Sequence, residues 1–289
     1  MSDSKQLLIL SSSYPSNNTD GRAAGGFFIK DFAEKLSESN NIRVITQYTG
    51  NGDKNTEEKQ CSIIRFSWRG QDRPLSTLRL PQDIFAILSV MIAGTIESIR
   101  QIRLQKADYV IAMWAIPSGV WALILKKIYK IPYTVWCLGA DIWNYQNSPF
   151  ARIVLKIVLE NATHVYADGF ELSDSVNDIS QVECTYLPTS RFLSNPVSKI
   201  ILKPEGVRHY LFVGRYHPNK GPDIFIKAVK YYNSLLRNVR VLLTGRCRQY
   251  VMKELHKIGV TCIYYEMVDF KKLAALLEKV HSSEIWAPC

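Results

Sequence analysis

The chain has six cysteines but no Cys-x-x-Cys pair; they stand at 61, 137, 184, 247, 262 and 289, on apolar, strand-like runs. That spacing argues against a zinc ribbon or a disulfide framework and fits reduced thiols in a core. Nothing at the start of the sequence suggests secretion. Met1-Ser2-Asp3-Ser4-Lys5 runs straight into Leu7-Leu8-Ile9-Leu10, with no basic stretch, long apolar segment or small-residue cleavage site, so the expected location is cytoplasmic. No Gly-x-Gly-x-x-Gly spacing occurs, which removes the main support for a dinucleotide-binding loop. Internal repeats and low-complexity tracts are absent too. One uncharged run, residues 109–125, approaches the length that spans a bilayer. Ile116-Pro117-Ser118-Gly119 interrupts it, so it reads as a buried strand, a turn and a helix start.

What is present describes a soluble globular chain. At 289 residues, 47% apolar and 21% charged, it has room for one large or two medium domains with proper cores. The formal charge of +10 is unevenly placed: residues 1–187 hold 19 basic and 19 acidic side chains, residues 188–289 hold 17 and 7. A basic C-terminal part suits an anionic ligand, whether nucleotide diphosphate, nucleic acid or an acidic membrane surface. Its charges follow helices and strands without an RNA- or DNA-binding motif, so no nucleic-acid partner is expected.

Short β-rich apolar runs alternate with segments of helical period, the pattern of an α/β fold with largely parallel sheets. Strands are predicted at 6–11, 42–47, 62–66, 108–113, 133–138, 163–167 and 184–187, and again at 210–213, 239–244, 260–264 and 285–287. Helices are predicted around Phe28, Phe32 and Leu36, at 81–105, 150–159, 223–236 and 270–280. Residues 187–206 carry Pro188, Pro196 and Pro204 among several Ser and Asn, the composition of an interdomain connection. The expected organisation is a first domain at 1–187, a linker at 188–206 and a second, partial domain at 207–289.

Ligands of open parallel sheets bind beyond the carboxyl ends of the strands, and three sequence motifs fall there. Gly25-Gly26 precede the first helix; they either let a ligand approach the backbone and the helix N-terminus or form a plain flexible turn. Asp141, in Leu138-Gly139-Ala140-Asp141, either orients a substrate hydroxyl as a catalytic-site residue or caps the following turn. Gly214-Arg215 and Lys220-Gly221 combine a tight turn, a guanidinium able to grip phosphate oxygens in bidentate fashion and an ammonium near a helix start. Those parts suit a diphosphate; the alternative is that Arg215 and Lys220 are solvated surface charges. His217, between them, reads as a loop histidine.

In this order the motifs resemble those of the family 4 retaining glycosyltransferases, over nearly the whole chain. The resemblance implies the GT-B fold of two Rossmann-like domains, with a glycine-pair loop after the first strand, a His-Gly-Ser-Asp-like motif in mid-domain and a Gly-Arg-x-x-x-x-Lys-Gly motif opening the second domain. It implies that Arg215 and Lys220, with Gly214, hold the diphosphate of a nucleotide-sugar donor and that Gly25 and Gly26 close on it. The acceptor would be a glycan or a lipid-linked sugar, with peripheral membrane contact as a further expectation, and neither metal nor cofactor is expected. Leu138 stands where the family has histidine. The family's paired glutamates, expected after a strand ending like Trp286-Ala287-Pro288-Cys289, are not in the sequence, so a truncated second domain and an inactive, binding-only relative are also expectations.

Overall fold

The computed structural model describes residues 4–16, 26–50, 52–58, 61–71, 75–79, 81–190, 208–213, 220–236, 239–244, 249–257, 259–265 and 285–286. It has two compact units, Met1–Arg191 and Phe192–Cys289. Residues 191–207, which include most of the expected linker, lie outside the described residues.

The first unit is an eight-stranded sheet. Its strands are β1 (Gln6–Ser11), β2 (Asn41–Gln47), β3 (Asn55–Glu58), β4 (Cys61–Phe66), β5 (Tyr109–Met113), β6 (Tyr133–Cys137), β7 (His164–Ala167) and β8 (Cys184–Tyr186), in the spatial order β3-β4-β2-β1-β5-β6-β7-β8. Every pairing is parallel except β3 with β4. β1 is apolar from Leu7 to Leu10 because both of its faces are covered. Leu8 and Leu10 join a core beneath α2 (Ile84–Leu104), α3 (Val120–Tyr129), the one-turn α4 (Ala140–Trp143), α5 (Pro149–Glu160) and α6 (Phe170–Ser180). Leu7 and Ile9 face a second core beneath α1 (Phe27–Leu36). On α1, Ile29 and Ala33 are buried, while Phe28 and Phe32 meet the Trp136 indole edge-on at 6.0 and 5.3 Å.

The uncharged run divides as its proline and glycine suggest. β5 ends at Met113, residues Ala115–Gly119 form a tight turn, and α3 begins at Val120. Among the described residues, α2 is the one helix long and apolar enough to cross a membrane. One of its faces is committed to the protein: Val90 and Gly94 are buried, and the fully buried Trp121 of α3 donates its indole N–H to the Met91 carbonyl at 3.1 Å.

In the second unit, β9 (Arg208–Val213), β10 (Val239–Thr244), β11 (Thr261–Tyr265) and β12 (Ile285–Trp286) form a parallel sheet in the order β11-β10-β9-β12. α7 (Pro222–Leu236) and α8 (Gln249–His256) pack through Phe225, Ile226, Val229, Val251 and Leu255 onto Phe212 of the central strand. The helix predicted at 270–280 falls outside the described residues.

Candidate functional site

In each unit the first strand has the second strand on one side and a later strand on the other. β1 lies between β2 and β5, and β9 lies between β10 and β12. The chain therefore winds away in opposite directions on the two sides of β1 and of β9. The crevice this leaves at the carboxyl end of each first strand is the place where open α/β sheets take ligands.

In the first unit the loop leaving β1 is held by polar side chains from its neighbours. Gln47, at the end of β2, donates to the Ser12 carbonyl, and Arg65 of β4 donates to the Pro15 carbonyl at 3.0 Å. Both side chains are buried, so each is anchored where an unpaired amide or guanidinium would be costly. Ser11 Oγ donates to the Ser13 carbonyl at 2.6 Å, and the hydroxyls of Ser16 and Thr49 meet at 2.8 Å. The loop is thus fixed as far as residue 16. Gly26 resumes it directly before α1, where a Cβ would stand 2.9 Å from both the carbonyl oxygen and Oγ of Ser13. Its φ of −98° is open to any residue, so glycine is needed here for close approach rather than for its torsional freedom. Gly25 lies outside the described residues.

The loops after β5 and β6 are tied together by Asp141. Its side chain is 2% exposed. Oδ2 accepts the Ala115 N–H at 2.6 Å and Oδ1 accepts the Leu138 N–H at 3.1 Å. Burial pushes this carboxyl up from its ordinary 3.8 to about 6, even though the backbone N–H bonds favour its charged form. Gly139, two residues before it, has φ +99°, a left-handed torsion that a side chain would strain. Trp114, at the end of β5, is also in positive φ, at 72°. For a bulky residue that is a strained conformation, kept where the surroundings over-determine it. Here the Trp114 N–H is bonded to the Trp136 carbonyl at 3.0 Å, and its ring meets Phe28 edge-on at 6.3 Å. Asp141 and Trp114 shape one rim at the carboxyl ends of β5 and β6. Leu138 makes no polar side-chain contact there; it packs with the apolar core beneath α1.

In the second unit the structure places Lys220 and Gly221 immediately before α7, with Gly221 at φ +62° and Pro222 opening the helix. A positive-φ glycine followed by proline at the first helical position sets the turn and starts the helix. The free N–H groups and dipole of that end favour an anion, and the partly exposed Lys220 adds a cation beside it. Asp223 in the first turn opposes that charge in part. Gly214, Arg215 and His217 lie outside the described residues. Lys220 and Gly221, at the start of α7, border the crevice of the second sheet.

Sequence reasoning did not reach Gln47 or Arg65; a polar residue at or near the carboxyl end of its strand was the available signal for both. Trp114 heads the strand-end motif that runs to Gly119, but nothing local marks its positive φ.

No family model matches the chain. Over 124 residues, 43% of its length, it is 27% identical to an uncharacterized glycosyltransferase of Methanocaldococcus jannaschii, and the match spans 34% of that relative. Among solved structures, an alpha,alpha-trehalose-phosphate synthase (UDP-forming) from Burkholderia vietnamiensis superposes with a TM-score of 0.66 at 10% identity, covering 95% of this chain and 75% of that one. The Anabaena protein HepE in complex with UDP-glucose gives 0.61 at 12% identity, covering 95% and 72%. At such identities the likeness is one of fold. The chain has the α/β architecture of two Rossmann-like units, the GT-B type.

Proposed function

We propose that the protein is a glycosyltransferase that moves a sugar from a nucleotide-sugar donor to a glycan or lipid-linked acceptor, with retention at the anomeric carbon, in cell-surface polysaccharide or glycolipid synthesis. It would act in the cytoplasm, at the inner face of the membrane. The observation that carries this reading is the start of α7: a positive-φ glycine and a lysine at the mouth of the crevice beside the central strand β9. The glycosyltransferase relative and the UDP-glucose complex of like fold support it.

In this reading Arg215 and Lys220 bind the donor diphosphate, with the N-terminus of α7 behind them. As the bond from the anomeric carbon to the diphosphate oxygen breaks, its electron pair stays on that oxygen, and these cations stabilise the growing charge. The acceptor hydroxyl oxygen forms the new bond, and its proton passes to the departing diphosphate oxygen. Gly25 and Gly26 meet the donor through their backbone. Asp141 acts as a positioning residue that holds the strand-end loops. The nucleotide sugar is a co-substrate, and no metal or cofactor is called for.

A second reading, a donor-binding relative without turnover, is favoured by Leu138, whose packed apolar side chain offers nothing polar to a sugar. One experiment separates the two. The chain is incubated with UDP-, GDP- and ADP-linked sugars, the released nucleoside diphosphate is measured, and the anomer of the freed sugar is followed by NMR. Release from one donor class, with the initial product keeping the donor's anomeric configuration, is the expected result. Saturable nucleotide binding with no release would select the second reading, and an inverted product would contradict retention.

A further inference from the structure

The outward stripe of α2 reads Phe85, Leu88, Ile92, Ile96, Arg100 and Arg103, at steps of three and four residues that keep them on one side of the helix. Phe85 is 66% exposed, Ile92 57% and Ile96 60%. The apolar part therefore runs for about three turns, roughly 16 Å at the rise of an α-helix, on the side opposite Ala86, Val90 and Gly94, which are buried. A helix apolar all round normally has a neighbour on every side or lies against lipid.

Cations bracket the stripe. At its start the Arg69 guanidinium stands 5.6 Å from the centre of the Phe85 ring. At its end come Arg100, Arg103 and the exposed Lys106. Glu97 offsets one of them, pairing with Arg100 at 2.8 Å. Arg103 Nε donates to the Tyr129 hydroxyl at 3.2 Å, which holds it at the edge of the helical layer.

We propose that this face of α2 is a docking surface for an anionic lipid bilayer, on which the helix lies flat. Phe85, Leu88, Ile92 and Ile96 enter the boundary between headgroups and acyl chains, while Arg69, Arg100, Arg103 and Lys106 meet phosphate oxygens. The buried side of α2, anchored by Trp121, keeps the helix in the protein layer and excludes a membrane-spanning role. Charge selects lipid over a second copy of the chain. A twofold contact through this stripe sets Arg100 and Arg103 against their own counterparts if the helices run parallel, or against Arg69 of the other copy if they run antiparallel. Anionic headgroups turn that repulsion into attraction. The inference stands independently of donor chemistry, since it uses no residue of either crevice.

The test is co-sedimentation of the full chain with vesicles of phosphatidylcholine alone or mixed with phosphatidylglycerol, alongside light scattering of the lipid-free protein. Expected are a monomer in solution, binding to the anionic vesicles at least about tenfold tighter than to neutral ones, and release by high salt. Leu88→Glu with Ile92→Glu should lower binding at least about tenfold. Arg103→Gln and Lys106→Gln should each lower it about fivefold. The substituted side chains are exposed, so circular dichroism should be unchanged; Phe85→Ser with Ile96→Ser replaces the glutamate pair if it is not. Equal binding by the wild type and the apolar variants would overturn the proposal. So would a dimer that the same substitutions dissociate while vesicle binding is absent.

Discussion

Replacing Arg215 by alanine is expected to weaken nucleoside-diphosphate binding about 10- to 100-fold and to slow sugar transfer about 100- to 1,000-fold. The binding loss follows from removing a charge-assisted, two-pronged contact to phosphate. The larger loss in rate follows because charge on the leaving diphosphate grows as the reaction proceeds, and a cation in place there acts most strongly at the transition state. Lys220→Ala should fall in the same direction by a smaller factor, since an ammonium gives a point charge rather than a planar fork. Arg215→Lys should recover only part of the binding, for the same reason. Lys156, on the surface of α5 and paired with Glu160 at 3.6 Å, is a control for net charge, and Lys156→Ala should leave both quantities unchanged. Calorimetric titration with UDP, GDP and ADP and single-turnover rates measure the two effects. Equal values for wild type and Arg215→Ala would remove Arg215 from the site.

Asp141→Ala should lower stability by about 2–6 kcal/mol, because the N–H groups of Ala115 and Leu138 would each lose a buried acceptor, at about 1–3 kcal/mol apiece. The pH dependence is the more specific signature. The folded carboxyl titrates at about 6 against an ordinary 3.8, so the folded state binds the proton more readily than the unfolded chain. The stability contributed by that protonation is fully present below about 3.8 and is lost as pH rises through about 6. The difference amounts to about 3 kcal/mol at most. Wild type should therefore gain on Asp141→Asn by about 2–2.5 kcal/mol between pH 7.5 and pH 4, as urea unfolding of the two proteins would measure. Parallel stability curves would show that Asp141 is not the buried, loop-tying carboxylate found here. A charged group kept at such a cost is explained by the geometry it imposes: it fixes the ends of β5 and β6 together, where Trp114 is already strained.

Much of the fold was legible because parallel strands buried on both faces are continuous apolar runs. β1 and β10 match their predicted limits, and α1 follows the spacing of its phenylalanines. β5 begins one residue later than predicted, at Tyr109; Asp108 before it still bonds to the start of β1, its N–H donating to the Gln6 carbonyl and its carboxylate accepting the Gln6 N–H, both at 2.8 Å. The elements that reasoning missed are polar. α6, FELSDSVNDIS, buries Leu172, Val176 and Ile179 at helical spacing, but its Ser, Asp and Asn weaken the helical signal, and no element was predicted there. β3, NTEE, is an antiparallel edge strand whose charges suit an exposed margin. α8 is short and shows only Val251 and Leu255 on its buried face.

The candidate site was legible in part. Lys220 and Gly221 stand at the helix start that their spacing from Gly214 and Arg215 requires. Asp141, left open between orienting a hydroxyl and capping a turn, has both oxygens occupied by backbone N–H groups. The supports of the first loop were hidden because Gln47 and Arg65 act on residues 35 and 50 positions away in sequence. No local pattern encodes a partner at such a separation.

The central claim is that the connection from β9 to α7 holds the diphosphate of a nucleotide-sugar donor. Its most direct test is an amide NMR titration of the isotopically labelled chain with UDP, and with GDP and ADP in parallel. The account predicts that one nucleotide produces saturable shifts concentrated at residues 213–223, centred on Arg215 and Lys220, and that Arg215→Ala abolishes them at the same concentration. Shifts confined to other segments, or no saturable shifts with any of the three, would contradict it.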